Sequence, residues 1–400
     1  MMLALAALAA AAGLQPADTL GPALSPSPAR EILVADDAAL RRALADARPG
    51  DAILLAPGKF RGFTADNLRG EPDRPIIVRA QHPADPPVFT SGVHLVRPRH
   101  TELADLHSID APHNAFNIDD GGNHLTPAQH LTIRRLTIRD NGGRANADGL
   151  KLSGVQDVLV EHCTFERWGR GGSAIDMVGC ARGVIRDCTF ADLESDPASN
   201  AVQTKGGSSD ITIRRCRFVH AGQRAVNIGG STGLPYFRPP DAPHEARSIT
   251  VEGCTFIGSH TPVAFVGVDG AAFRFNTVYL PSRWAARILQ ESTGPRFVKS
   301  RNGRIEDNLF VYRRRDISTM INVGSGTKPE TFRFARNYWF ATDDPARSIP
   351  TLPAAETDPA GGREPRFRDP DRLDLRQTPE SPALPHGADA LPADPPTIPR

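Results

Sequence analysis

The chain has 400 residues, with 47 Lys and Arg against 46 Asp and Glu and a formal net charge of +1. Near-neutrality removes the electrostatic footprint of a nucleic-acid-binding protein, and this length allows one large domain. Aromatic residues are few (6%) while Gly (35) and Pro (36) are many, which suits numerous short strands joined by turns.

Residues 1–17 read as an export signal. MLALAALAAAAGL (2–14) is apolar, too short to span a bilayer, and followed by small residues. A secreted or periplasmic location follows, and no other segment reads as a membrane span. DDAALRRALADA (36–47) reads as a short amphipathic helix with an Asp at its N-cap and Leu40, Leu44 and Ala47 on one face. Strands begin with GDAILLAPGKFRG (50–62) and PIIVRAQ (75–81).

An eight-residue phrase then recurs: LTIRRLTI (131–138), VLVEHCTF (158–165), GVIRDCTF (183–190), ITIRRCRF (211–218), ITVEGCTF (249–256), AAFRFNTV (271–278), GRIEDNLF (303–310) and FRFARNYW (332–339). Its sixth position holds Leu136, Cys163, Cys188, Cys216, Cys254, Asn276, Asn308 and Asn337, at spacings of 27, 25, 28, 38, 22, 32 and 29. A period in this range means a stacked repeat. Coils of this length with short strands build an all-β, single-stranded right-handed parallel β-helix. It is expected over 30–340, with the 36–47 helix covering its open N-terminal end. Thirteen of the 36 prolines lie between Pro345 and Pro399, so 341–400 reads as an extended tail packing on the stack.

Four of the five cysteines occupy the repeated slot. Equivalent slots stack about 4.8 Å apart with parallel side chains, so they predict buried free thiols rather than disulfides. No CxxC or Cys/His spacing supports a metal site. Each phrase is read as one strand, with Ile211, Ile213, Cys216 and Phe218 inward and Thr212 and Arg217 outward. A shorter strand precedes each phrase, with Phe116, Leu150, Ile175, Val202 and Val226 inside.

Period-two alternation then aligns an outward row of Asn117, Lys151, Asp176, Gln203 and Asn227. Two residues earlier lie Gly149, Ala174, Ala201 and Ala225, which read as the floor of a groove for an extended chain. Lys205 (QTKGGSSD) and Arg224 (GQRAVNIGG) fall on this face one coil apart. An unpaired lysine near a second cation is a candidate base, and cations are needed to bind an acidic polysaccharide. The 38-residue spacing holds an insertion, GGSTGLPYFRPPDAPHEAR (229–247), whose Tyr236, Arg238 and His244 are placed to overhang the groove. Asp119, Asp120, Asp148 and Asp176 form a rival constellation, since two suitably spaced carboxylates make a glycoside hydrolase.

NADGLKLSGV (146–155) resembles the Asn-x-Asp-Gly turn of polygalacturonases, which implies a hydrolase using Asp148 and Asp176. A wider resemblance is to polysaccharide lyase family six, the chondroitinase B and alginate lyase group of the pectate-lyase-like superfamily. LRRALADARPGDAILLAPGKFRG (40–62) with PIIVRA (75–80) resembles that family's opening. Lys205 before a small-residue turn resembles its lysine base, and EPRFRDPDRLDLRQTPESPAL (364–384) its closing segment. The resemblance implies β-elimination on a uronate-containing polysaccharide. Lys205 would be the base and Arg224 the acid or carboxylate clamp, and Lys151, Asp176, Gln203, Asn227, Tyr236 and Arg238 would bind substrate. It admits calcium, but SNAVQT (199–204) carries none of the acidic ligands that calcium-binding members place before the lysine. The expected partner is an acidic polysaccharide, met by a monomer. A non-catalytic carbohydrate-binding protein is the remaining alternative.

Overall fold

The computed structural model describes residues 27–393. The predicted export segment, 1–17, lies outside these residues. Among them the chain winds into a right-handed parallel β-helix of three sheets, with 13, 12 and 10 strands. Each full coil contributes one strand to each sheet, and the coils at the two ends contribute fewer. A representative coil runs Asn200–Lys205 on the ten-stranded sheet, Ser208–Arg214 on the thirteen-stranded sheet and Arg217–Val219 on the twelve-stranded sheet.

The recurring phrase is therefore two strands rather than one. It breaks just before the slot, where His162, Asp187, Arg215, Phe275, Asp307 and Arg336 take φ between 49° and 59°. One left-handed residue ends a straight run and turns the chain onto the next sheet. Alternation within the phrase is unaffected: Ile211, Ile213, Cys216 and Phe218 are buried and Thr212 and Arg217 are partly exposed.

The corner turns backbone groups away from the sheet ladder, and the slot residue of the next coil meets them. Cys188 Sγ donates to Val160 O (3.8 Å), a weak sulfur contact. Asn276, Asn308 and Asn337 Nδ2 donate to Val251 O, Phe273 O and Ile305 O at 3.0, 2.9 and 2.8 Å. In each case the acceptor lies three residues before the preceding coil's slot. The amides also accept: Asn308 Oδ1 takes the N–H of Asn276 (2.9 Å), and Asn337 Oδ1 that of Asn308 (3.1 Å). Glu356 ends the ladder, accepting from Asn337 N (3.0 Å) and Trp339 Nε1 (2.8 Å). Burial raises its carboxyl above the usual range, against the pull of these hydrogen bonds. All five cysteines are free and buried.

Aromatic residues two positions after the slot form a second column. Phe165, Phe190, Phe218 and Phe256 stack at centroid distances of 5.1, 4.7 and 4.6 Å, within 9° of parallel. Helix α1 (Asp37–Ala45) covers the N-terminal end with Leu40 and Leu44 buried, and Asp36 Oδ1 accepts from Ala39 N (2.7 Å). Beyond the last coil, Glu356–Thr357 and Ala360–Gly361 extend two of the sheets. The chain then returns along the stack, held by Arg217 Nη2 to Leu373 O (2.9 Å) and Gly387 N to Asp307 O (2.9 Å).

The amide ladder predicts a graded effect of slot substitutions. Asn308→Ala leaves Phe273 O and Asn276 N of the preceding coil without their side-chain partner and is expected to destabilise by about 2–4 kcal/mol. Asn308→Cys keeps a donor toward Phe273 O and is expected to cost less. Unfolding midpoints in urea at equal slope check the order.

Candidate functional site

The ten-stranded sheet carries the predicted row. Asn117 pairs with Lys151, Lys151 with Asp176, Asp176 with Gln203 and Gln203 with Asn227. The register extends it to His94 on one side and through Ala264 to Arg287 and Asn322 on the other. Ser153, Val178 and Lys205 form the next row.

The small-residue row does not make a floor. Ala174, Ala201 and Ala225 are fully buried in the hydrophobic core. A Cβ on Gly149 would meet the Phe165 ring at 3.1 Å. The chain turns a corner at these positions, so two successive residues face inward and the first must be small to lie over the phenylalanine column.

Asp176 is the centre of the site. It is 3% exposed and its Oδ2 contacts the ammonium of Lys151 directly, with Lys205 Nζ at 3.4 Å. Its Oδ1 has no hydrogen-bond partner. Lys151 Nζ also lies 3.4 Å from Asp148 Oδ2, while Asp148 Oδ1 accepts from Ser173 N (2.8 Å). Burial opposes charge on Lys151, but Asp176 and Asp148 outweigh it and hold the ammonium above the usual lysine range. Burial raises the Asp148 carboxyl, and the Asp176 charge raises it further.

Lys205 and Arg224 are placed differently from the sequence expectation. Lys205 is not an unpaired amine beside a second cation: it shares Asp176 and donates to Gln203 Oε1 (3.1 Å). Arg224 lies opposite Asn200, five residues before Lys205 in register. That separates the two by roughly 16 Å along the strand direction at about 3.3 Å per residue. Their side chains reach back toward one another. Arg224 Nη1 donates to Asn227 Oδ1 (3.1 Å) and Nη2 to Glu291 Oε1 (2.8 Å). The amides of Gln203 and Asn227 thus sit side by side, flanked by one cation at each end. Both also donate to Gly229 O, at 3.4 and 3.2 Å. A Cβ on Gly230, at φ +151°, would come within 2.6 Å of Gln203 Nε2. Glycine is required there because the insertion leaves directly over this pair.

The insertion's three residues part company. Tyr236 is exposed on a short turn, Leu234–Tyr236, beside exposed Leu234. Arg238 is committed to buried Asp120, with Nε to Oδ2 at 2.8 Å and Nη2 to Oδ1 at 3.3 Å, so it clamps the insertion to an earlier coil. His244 is buried beside Ser209 and Arg247 of the thirteen-stranded sheet, away from the row. Burial holds its pKa below the usual histidine value.

Sequence reasoning missed Glu245, which is fully buried at the end of the insertion. It accepts from Gly206 N (2.8 Å), Thr232 N (2.9 Å), Thr232 Oγ1 (2.7 Å) and Ser292 Oγ. It thereby ties the insertion and the 290–300 loop to the turn that follows Lys205. No local signal marks it, because its partners come from three distant segments. Glu291 and Arg287 were missed for the same reason.

Among the described residues no group of three or more His, Cys, Asp or Glu side chains is placed to hold a metal ion. The two carboxylates that converge, Asp148 and Asp176, converge on the Lys151 ammonium. The residues therefore do not fit calcium. No helix among the described residues is long and apolar enough to cross a membrane.

Residues 121–234, which include Lys151, Asp176, Lys205 and Arg224, match the family described as right handed beta helix region. No curated protein matches the sequence. Among solved structures the chain is similar to the alginate lyase from Paenibacillus sp. str. FPU-7 (15% identity, covering 75% of this chain and 97% of that one, TM-score 0.47). It is similar to a mannuronic acid specific polysaccharide family 6 lyase from human gut microbiota (16%, 82% and 91%, TM-score 0.46). It is also similar to the A-module of the Azotobacter vinelandii mannuronan C-5 epimerase AlgE6 (14%, 84% and 96%, TM-score 0.49).

Removing Asp176 leaves Lys205 without a carboxylate and Lys151 with Asp148 alone. Asp176→Asn is expected to destabilise by about 3 kcal/mol, because breaking a buried pair leaves charge without compensation. The double variant Asp176→Asn/Lys151→Met is expected to recover part of that loss. Comparison of the unfolding midpoints of the two variants measures the coupling.

Proposed function

We propose that the protein is a polysaccharide lyase that cleaves a uronate-containing chain by β-elimination. The observation that carries this reading is the pair of adjacent buried amides, Gln203 and Asn227, flanked by the partly exposed cations Lys205 and Arg224 on the ten-stranded sheet. A sugar carboxylate laid on the two amides meets Arg224 at one end and presents its α-carbon toward Lys205.

Lys205, after losing its own proton to solvent, takes the proton from the carbon α to the carboxylate. The electron pair of that C–H bond forms a double bond to the neighbouring carbon as the glycosidic C–O bond breaks. The leaving oxygen takes a proton from the lysine ammonium so formed. Arg224, held by Glu291, stays charged and acts as the clamp that stabilises developing charge on the carboxylate. Lys151 keeps Asp176 oriented, and both line the groove beside the reacting unit. Tyr236 and the insertion that Arg238 anchors overhang it. The apolar N-terminal segment supports export, which would bring the enzyme to an extracellular polysaccharide.

A glycoside hydrolase built on Asp148 and Asp176 is a second reading. It is favoured by the raised Asp148 carboxyl beside a second carboxylate. Against it, both carboxylates are held on the one Lys151 ammonium.

Incubation with alginate, pectate and glycosaminoglycans separates these readings. The lyase releases an unsaturated product followed by its ultraviolet absorbance, and Lys205→Ala lowers that rate by about 10²–10⁴-fold. Reducing ends released without unsaturation, and lost in Asp176→Asn, would establish the hydrolase instead. Binding without turnover would show a non-catalytic carbohydrate-binding protein.

A further inference from the structure

The outward row does not end at Asn227, and its two halves differ in charge. Toward the N-terminus each charged group on this face has an opposite partner. His94 Nε2 is 2.6 Å from Asp119 Oδ2, Asn117 Nδ2 donates to the same oxygen (3.1 Å), and Arg97 pairs with Asp66 (2.5 Å). Lys151 and Lys205 share Asp176.

Toward the C-terminus the balance fails. Two coils beyond Asn227 in the same row stands Arg287, with buried Ala264 between them. Arg287 Nε donates to Asn322 Oδ1 (3.0 Å). Trp284, whose backbone N–H donates to His260 O (3.0 Å), lies against both Arg283 and Arg287, with guanidinium carbons 4.2 and 4.4 Å from its ring centroid. Among the described residues neither Arg283 nor Arg287 has a carboxylate within 4.0 Å. Burial and the Arg224 charge both lower the Arg287 guanidinium, while Glu291 opposes them. Two cations held on one aromatic ring with no carboxylate within 4.0 Å keep donors available to an acidic group.

We infer that Arg283 and Arg287, ordered on Trp284, form an anion subsite that takes the carboxylate or sulfate of a second acidic sugar on the C-terminal side of Arg224. It rests on the proposed lyase reading and narrows it. Two coils are about 10 Å at the usual strand spacing, so the subsite serves a separate sugar unit, not the one on Gln203 and Asn227. The N-terminal half, whose cations are already matched, has no such site. The substrate is accordingly a chain that carries anionic units on one side of the cleaved bond. Units on the other side bind by hydrogen bonds beside His94 and Asn117.

The test is binding of hexameric oligogalacturonate and oligomannuronate, and of their methyl esters, measured by titration calorimetry. It uses Lys205→Ala protein to prevent turnover. Adding Arg283→Gln and Arg287→Gln is expected to weaken the acidic oligosaccharides roughly tenfold and flatten the salt dependence of binding. Binding of the methyl esters should stay unchanged, which also shows that the variant is folded. Equal affinity for the acidic oligosaccharides with and without the two arginines would overturn the subsite, as would their failure to bind at all. Lack of unsaturated product from the wild type, with the arginine effect intact, would sink the lyase chemistry and leave the subsite standing.

Discussion

The structure depends on what happens at one corner of each coil. A single left-handed residue, such as Asp187 or Asp307, ends the long strand and swings the chain onto the next sheet. The turn leaves a carbonyl and an N–H outside the ladder and inside the core, where an unmet polar group is costly. The slot side chain of the following coil supplies the partner. Cysteine does so weakly through sulfur, and asparagine does so twice, as donor and acceptor. Small size, a donor and a fixed position are the requirements, which explains why two chemically unlike residues share the column. The Asn ladder occupies the C-terminal coils and ends on the Glu356 carboxylate, so the last coil is closed by polar contacts where the first is closed by the apolar face of α1.

Because each coil is held at the same corner, the ten-stranded sheet keeps its register, and that register builds the site. Lys151, Asp176, Gln203 and Asn227 come from four successive coils and would be unrelated in any fold without strict stacking. The loops complete it from a distance. Glu245 fastens the insertion to the backbone just after Lys205, and Glu291 aims Arg224 from a later segment. The carboxylates carry two jobs in different places. Asp148 and Asp176 hold Lys151 in its charged form, and Glu291 orients the Arg224 guanidinium.

The repeat, the column and the outward row could be read from sequence because they follow from period two within strands and a near-constant period between coils. That reading reaches as far as which face Asp176 or Gln203 occupies. It fails where the chain leaves the pattern. Alanines 174, 201 and 225 were expected outward and lie in the core, because at a corner alternation breaks and two neighbours turn inward. Lys205 and Arg224 were expected as adjacent cations, yet they stand at opposite ends of their strands and meet through the Gln203–Asn227 pair. Arg238 looked available in sequence and is spent on Asp120, a residue far earlier in the chain whose Oδ2 lies 2.8 Å from it. Pairings of this kind have no local signature, since they depend on which loop lies over which coil.

A further recess of about 500 Å³, lined by the stacked His100 and His130 with Glu102, Asp157 and Arg182, lies on the thirteen-stranded sheet and shares no residue with the row. It gives the central claim a direct competitor. The decisive measurement is a crystal structure of Lys205→Ala protein with a bound acidic oligosaccharide. The sugar chain is expected to lie along the ten-stranded sheet, with one carboxylate on the amides of Gln203 and Asn227 and against Arg224. An oligosaccharide seated in the His100–His130 recess, with the row empty, would contradict the account.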